Sequence, residues 1–95
     1  MVILYFYNQK FSGEEMTLIE AVKTRINELL VEKNMTLYAL ECKSGILHGT
    51  MMCLMNGRSK NITLKTLMMI SEGFGITVAE FLNEEYFSYD KIAIE

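Results

Sequence analysis

SGILHGTMMCLMNG, residues 44–57, decides how this chain is read. Gly45 sits where a helix ending at Ser44 needs a residue that adopts the left-handed conformation cheaply. Upstream, Thr36 is a helix-capping residue. A helix from Leu37 to Ser44 follows, burying Leu37 and Leu40. Downstream, the spacing of Ile46, Met51 and Leu54 predicts a second short helix from about His48 to Met55, ended by Asn56-Gly57. Two helices of about eight residues joined by a glycine turn form a packing unit that projects the second helix outward.

Outward from this unit, the pattern stays helical. Thr17-Leu-Ile-Glu20 fits a capping box, and Leu18, Ile19, Val22, Ile26, Leu29 and Leu30 recur at helical spacing to about Lys33. Lys33-Asn34 is a plausible stop. After the polar loop Gly57–Asn61, Thr63 caps a helix with an inner face of Leu64, Leu67, Ile70 and Met68. The glycines of Glu72–Ile76 end it. A second capping box, Thr77-Val-Ala-Glu80, opens a last short helix that buries Val78, Phe81 and Leu82. The expected fold is all-α: a compact five-helix domain over residues 16–84, with possible short strands at the two ends. The start, Val2–Tyr7, is β-branched and aromatic and reads as a strand, with Asn8–Glu15 a polar connector. The tail, residues 85–95, is aromatic and then alternates at Ile92 and Ile94, as a second strand would.

At 95 residues, half of them hydrophobic, the chain suits one small folded domain. The formal charge is −3, yet no acidic residue lies between Glu41 and Glu72. That stretch holds Lys43, Arg58, Lys60 and Lys65 and carries +4, which leaves −7 on the rest. A local basic face on an acidic body suggests an anionic partner met in one place, against the alternative of an incidental gap. Cys42 and Cys53, with one His, do not complete a four-ligand zinc site and read as reduced cytoplasmic thiols. The eight Met residues mostly sit at core spacing and read as gap-fillers. The apolar start is too short for a signal core or a membrane span. Neither a cofactor nor a metal is implied, and no acid–base constellation points to an enzyme.

The segment TLYALECKSGILHGTMMCLMNG, followed by ITLKTLMMISEGFGITVAEFL, resembles the lambda-repressor-like helix-turn-helix family, also called Cro-like or XRE-type. The resemblance runs from about Leu18 to Asn83. Leu40 matches the inward position of the first motif helix, and Ser44-Gly45-Ile46 the turn. Thr50, Met51 and Leu54 match the inner face of the second helix. It implies a regulator that binds double-stranded DNA through the second motif helix in the major groove. The base-facing residues would be His48, Gly49, Met52 and Cys53. Phosphate contacts would come from Thr36, Lys43, Asn56, Arg58, Ser59 and Lys60. The other reading of Arg58 and Lys60 is a solvated loop, and of His48 an exposed residue without a role.

The chain departs from the family in several places. Glu41 stands where the family usually has a small Ala, so its carboxylate should reach solvent or a basic partner. Leu47 replaces the usual capping residue, at a cost of roughly 1 kcal/mol. Gly49 weakens the same turn, and Leu37 replaces a polar residue that often meets a phosphate. No Arg, Lys, Gln or Ser faces a base, so the helix has a thin hydrogen-bonding vocabulary.

The resemblance also implies a homodimer, through the fifth helix, the tail residues Tyr86, Phe87 and Tyr89, or the N-terminal arm. Val2–Tyr7 is expected to pair with Lys91–Ile94, within one chain or across a dimer. Gly13-Glu14-Glu15-Met16 admits a second reading: a purine-rich run before an ATG, which would place residues 1–15 upstream of a start at Met16. Two functions stand side by side: a dimeric repressor of bacterial, phage or mobile-element genes, and an antitoxin-like or adaptor protein-interaction module on the same fold.

Overall fold

The computed structural model describes residues 16–93. Five α-helices follow one another: α1 (Leu18–Glu32), α2 (Leu37–Ser44), α3 (His48–Met55), α4 (Leu64–Phe74) and α5 (Val78–Phe81). A strand β1 (Met16–Thr17) precedes them. Two 3-10 turns, Glu85–Phe87 and Tyr89–Lys91, lead into β2 (Ile92–Ala93). The all-α architecture with short end strands matches the expectation. Residues 1–15 and 94–95 lie outside the described residues, and with them the expected strand Val2–Tyr7, its connector and Ile94.

The helix starts follow local chemistry. In both capping boxes the Thr hydroxyl accepts the N–H three residues on, while the Glu carboxylate accepts the N–H of the Thr: Thr17 with Glu20, and Thr77 with Glu80. At Glu80 the backbone N–H of Thr77, then its hydroxyl, holds the carboxyl below its ordinary value. Thr36 and Thr63 cap α2 and α4 in the simpler way, accepting from Ala39 and Thr66. Asn34 ends α1 with φ 52°, the left-handed conformation that Asn tolerates.

The main core gathers Ile19, Val22, Ile26, Leu29, Leu40, Ile46, Met51, Leu54, Leu67, Ile70, Phe74 and Phe81. Several side chains depart from the expected burial. On α4 the inner stripe is Leu67, Ile70, Ser71 and Phe74. At 100° per residue Leu64 and Met68 fall to one side of that stripe, and they are 66% and 57% exposed. Leu82 lies beyond the end of α5 and is exposed. Leu37 and Val78, each in a first turn, are half-buried. Thr50 faces solvent, so only Met51 and Leu54 form the inner side of α3.

Gly73 differs most in role. It does not stop α4; Gly75, at φ 75°, does that. Gly73 lies within α4 where α2 crosses it. A Cβ there would meet Leu40 Cδ1 and Ser44 Cβ at 2.9 Å and the Ser44 nitrogen at 3.2 Å. Gly49 has nothing within 4 Å of an added Cβ.

A second, smaller cluster ties the ends together: Met16, Ala21, Tyr86 and Ile92, with Leu18 and Phe87 against it. Ile92–Ala93 does form a strand, parallel to Met16–Thr17, with Met16 opposite Ile92. The Tyr86 hydroxyl donates to Glu28 at 2.6 Å. Tyr86 is thus buried inside its own chain, and of the tail aromatics Tyr89 is the one fully displayed, at 80% exposed.

Buried Arg25, on α1, holds α5 in place. Its Nε donates to the Phe81 carbonyl at 2.6 Å and its Nη2 to the Glu80 carbonyl at 2.8 Å. Its Nη1 lies 3.2 Å from Glu84 and 3.8 Å from Glu28. The two carbonyls belong to the last turn of α5, where helical N–H donors run out; that of Glu80 also accepts the Asn83 N–H at 3.3 Å.

Two comparisons test this packing in thermal or urea unfolding. Gly73→Ala should destabilise by about 1–2 kcal/mol, overpacking outweighing the helix-propensity gain, while Gly49→Ala should stabilise by up to about 1 kcal/mol. Arg25→Met should cost about 2–4 kcal/mol by removing the side-chain donors to the Phe81 and Glu80 carbonyls and the positive charge beside Glu28 and Glu84. Glu84→Gln, at the more exposed end of the same network, should cost under about 1 kcal/mol.

Candidate nucleic-acid interface

The turn between α2 and α3 is built residue by residue. Gly45 adopts φ 77° and its N–H donates to the Glu41 carbonyl at 3.0 Å. Ser44 Oγ accepts from the Ile46 N–H at 3.2 Å. Ile46 then drops into the core, and Leu47 swings out, 76% exposed, to begin α3 without a side-chain cap. The expected loss of that cap is therefore real.

This geometry sets α3 on edge. Met51 and Leu54 anchor it in the core, while His48, Gly49 and Thr50 face outward. Of the four residues expected to face bases, His48 and Gly49 are exposed. Met52 and Cys53 are half-buried, and Met52 also packs against the core. Their outward surface is smaller than helical position alone suggests. Thr50 adds an exposed hydroxyl to the same first turn, a group the family resemblance had assigned to the inside.

Glu41 is the residue whose importance spacing did not reveal. Its side chain is only 11% exposed, and its carboxylate oxygens sit 3.0 and 3.1 Å from Nδ1 of His48, whose side chain is 72% exposed. The basic partner anticipated for Glu41 is thus His48, seven residues on and across the turn.

The loop after α3 gathers Asn56, Arg58, Ser59 and Lys60. Gly57 turns it at φ 82°. The N–H groups of Arg58 and Ser59 both donate to the Cys53 carbonyl, at 3.1 and 3.2 Å, so this loop closes the C-terminus of α3. Asn56 Oδ1 accepts from the Arg58 N–H at 3.3 Å. Asn56, Arg58 and Lys60 are exposed and Ser59 half-buried. Thr36 and Lys43 are exposed at opposite ends of α2, a separation of roughly 10 Å along its axis. Lys43 lies toward the turn, and Thr36 accepts the Ala39 N–H as a cap. Ser59 and Lys60 also border an open groove of about 210 Å³ against Thr17, Ile19, Glu20 and Lys23 of the α1 start. Lys23 thereby joins the neighbourhood of the basic loop, a placement no local motif announces.

Cys42 and Cys53 are both free thiols. Among the described residues, no cluster of His, Cys, Asp and Glu is suited to a metal, and no helix is long and apolar enough to cross a membrane.

Comparison with known proteins bears on this geometry. No curated protein and no solved structure matches the chain. A family model does match, over residues 25–85, a span that takes in all of α2–α5, the outward α3 and the loop behind it. With that match, an all-helical core and a glycine-turned helix pair in place, the chain belongs to the Cro/C1-type HTH DNA-binding domain family.

Proposed function

We propose that this protein is a sequence-specific transcriptional regulator that acts as a dimeric repressor of bacterial, phage or mobile-element genes. The observation that carries the reading is the posture of α3: anchored by Met51 and Leu54, with His48, Gly49 and Thr50 outward and a basic loop immediately behind. A major groove admits a helix presented in this way. His48, Gly49, Met52 and Cys53 face the bases in this account. Thr36, Lys43, Asn56, Arg58, Ser59 and Lys60 hold the phosphates. Apolar contact with a thymine methyl and the deformability of the site supply part of the specificity, since the helix carries few donors and acceptors. A second copy of the chain doubles a small contact surface and reads a two-fold site. Among the described residues, exposed Tyr89 and Leu82 are surfaces that such a pairing could use.

Fluorescence anisotropy with DNA from upstream of the protein's own gene, against a scrambled duplex at two salt concentrations, tests this. The native fragment should bind more tightly, and affinity should fall with salt. Arg58→Ala and Lys60→Ala should weaken both complexes alike, each lowering the slope of log K against log salt by about one. Equal, salt-sensitive binding to both duplexes would remove the sequence-specific part. No binding at either salt would overturn the reading in favour of the protein-interaction module, for which exposed Leu47 at the turn offers an apolar side chain.

A further inference from the structure

His48 is the chain's one histidine and the first residue of α3. Both oxygens of the Glu41 carboxylate lie within 3.1 Å of its Nδ1. An ionised carboxylate only accepts hydrogen bonds, so the proton of a neutral imidazole in this contact belongs on Nδ1. Nε2 is then left without a proton, as an acceptor. The burial of the pair is asymmetric: the Glu41 side chain is largely covered and the His48 side chain is not. Glu41 thus engages one ring nitrogen of a side chain that is itself exposed. Imidazole tautomers are set in this way by whatever the second nitrogen bonds.

We propose that Glu41 is a positioning residue that fixes His48 as an outward hydrogen-bond acceptor, which selects a base carrying a major-groove donor. Cytosine offers its N4 amino group and adenine its N6 amino group, whereas guanine presents only acceptors, O6 and N7. An acceptor facing those guanine atoms leaves both sides unpaired, which is how a site rejects a ligand. A carboxylate between a DNA-docking helix and its own domain thus selects bases through the ring above it. This inference rests on the reading of α3 as the DNA-docking helix, and it assigns to Glu41 a role in base choice that no contact with DNA is needed to perform.

The test has two arms, both run in alkaline buffer so that the neutral imidazole is the form observed. The first needs no DNA. Nitrogen-15 NMR of the ring is unambiguous because only one histidine is present. The wild-type protein should show a protonated Nδ1 and a bare Nε2. Glu41→Ala should move the two nitrogen shifts toward the averaged pattern of a ring exchanging between tautomers. Glu41→Gln, whose amide oxygen can still accept, should retain the wild-type pattern in part. A protonated Nε2 in the wild type, or an unchanged pattern in Glu41→Ala, overturns the proposal. Circular dichroism confirms that each variant folds, and Glu41→Gln supplies the comparison if Glu41→Ala does not.

The second arm selects binding sites from randomised duplexes. Wild type should prefer adenine or cytosine over guanine by about tenfold at one position per half-site. Glu41→Ala should bring that ratio toward one, with the salt slope and the preferences elsewhere unchanged. A merely structural Glu41 would lower affinity at all positions together, and that outcome overturns the proposal. Failure of the wild type to bind any duplex overturns base selection along with the function beneath it. The ring spectrum then shows separately whether Glu41 sets the tautomer.

Discussion

The structure depends on how closely α2 can lie against α4. At Gly73 α4 presents no side chain to α2, and Leu40 and Ser44 occupy the space that a Cβ would need. Helix axes come this near only where one partner is small. The consequence runs outward from that contact. Ser44, pressed against Gly73, is also the residue whose hydroxyl accepts from Ile46 and shapes the turn. A glycine on α4, nearly thirty residues beyond Ser44 in the chain, thus touches the residue that shapes the turn into α3.

A second constraint closes the domain from the other side. Arg25 uses its planar fork to satisfy two carbonyls at the end of α5 and to draw in Glu84, while Tyr86 bonds Glu28 one turn along α1. An isolated buried charge would be unfavourable, and this one is compensated by acceptors on three sides. Phe81, Tyr86 and Phe87 stack in tilted pairs between the two hydrophobic clusters, with ring centroids 6.2 and 5.1 Å apart. Through them the tail reaches β1, and the ends of the described chain meet in a short parallel ladder.

The interface built on this frame is electrostatically divided. The residues from Cys42 to Ser71 carry no acid, and the loop after α3 displays Arg58 and Lys60. Glu41, just outside that stretch, is the nearest carboxylate in sequence to α3, and it is folded under His48 rather than displayed. A negative group beside the proposed DNA-docking surface would oppose a phosphate partner; the Glu41 side chain is instead 11% exposed with its carboxylate against the imidazole.

How much of this was written locally follows from the range of each interaction. Helix starts depend on groups three residues apart, so Thr17, Thr36, Thr63 and Thr77 announced α1, α2, α4 and α5 in the sequence alone. The left-handed turns at Gly45 and Gly57 and the apolar anchors Leu40, Met51 and Leu54 were legible for the same reason. Together they determined the helix-turn-helix unit and the family. Tertiary structure alone decided the rest: that Gly73 is a crossing point instead of a stop, and that Leu64 and Met68 face solvent. It also decided that β2 pairs with Met16–Thr17, that Arg25 caps α5, and that Glu41 holds His48. Each of these joins or separates groups on different elements, and the direction in which one element meets another comes from packing the whole core, which no short window of residues contains.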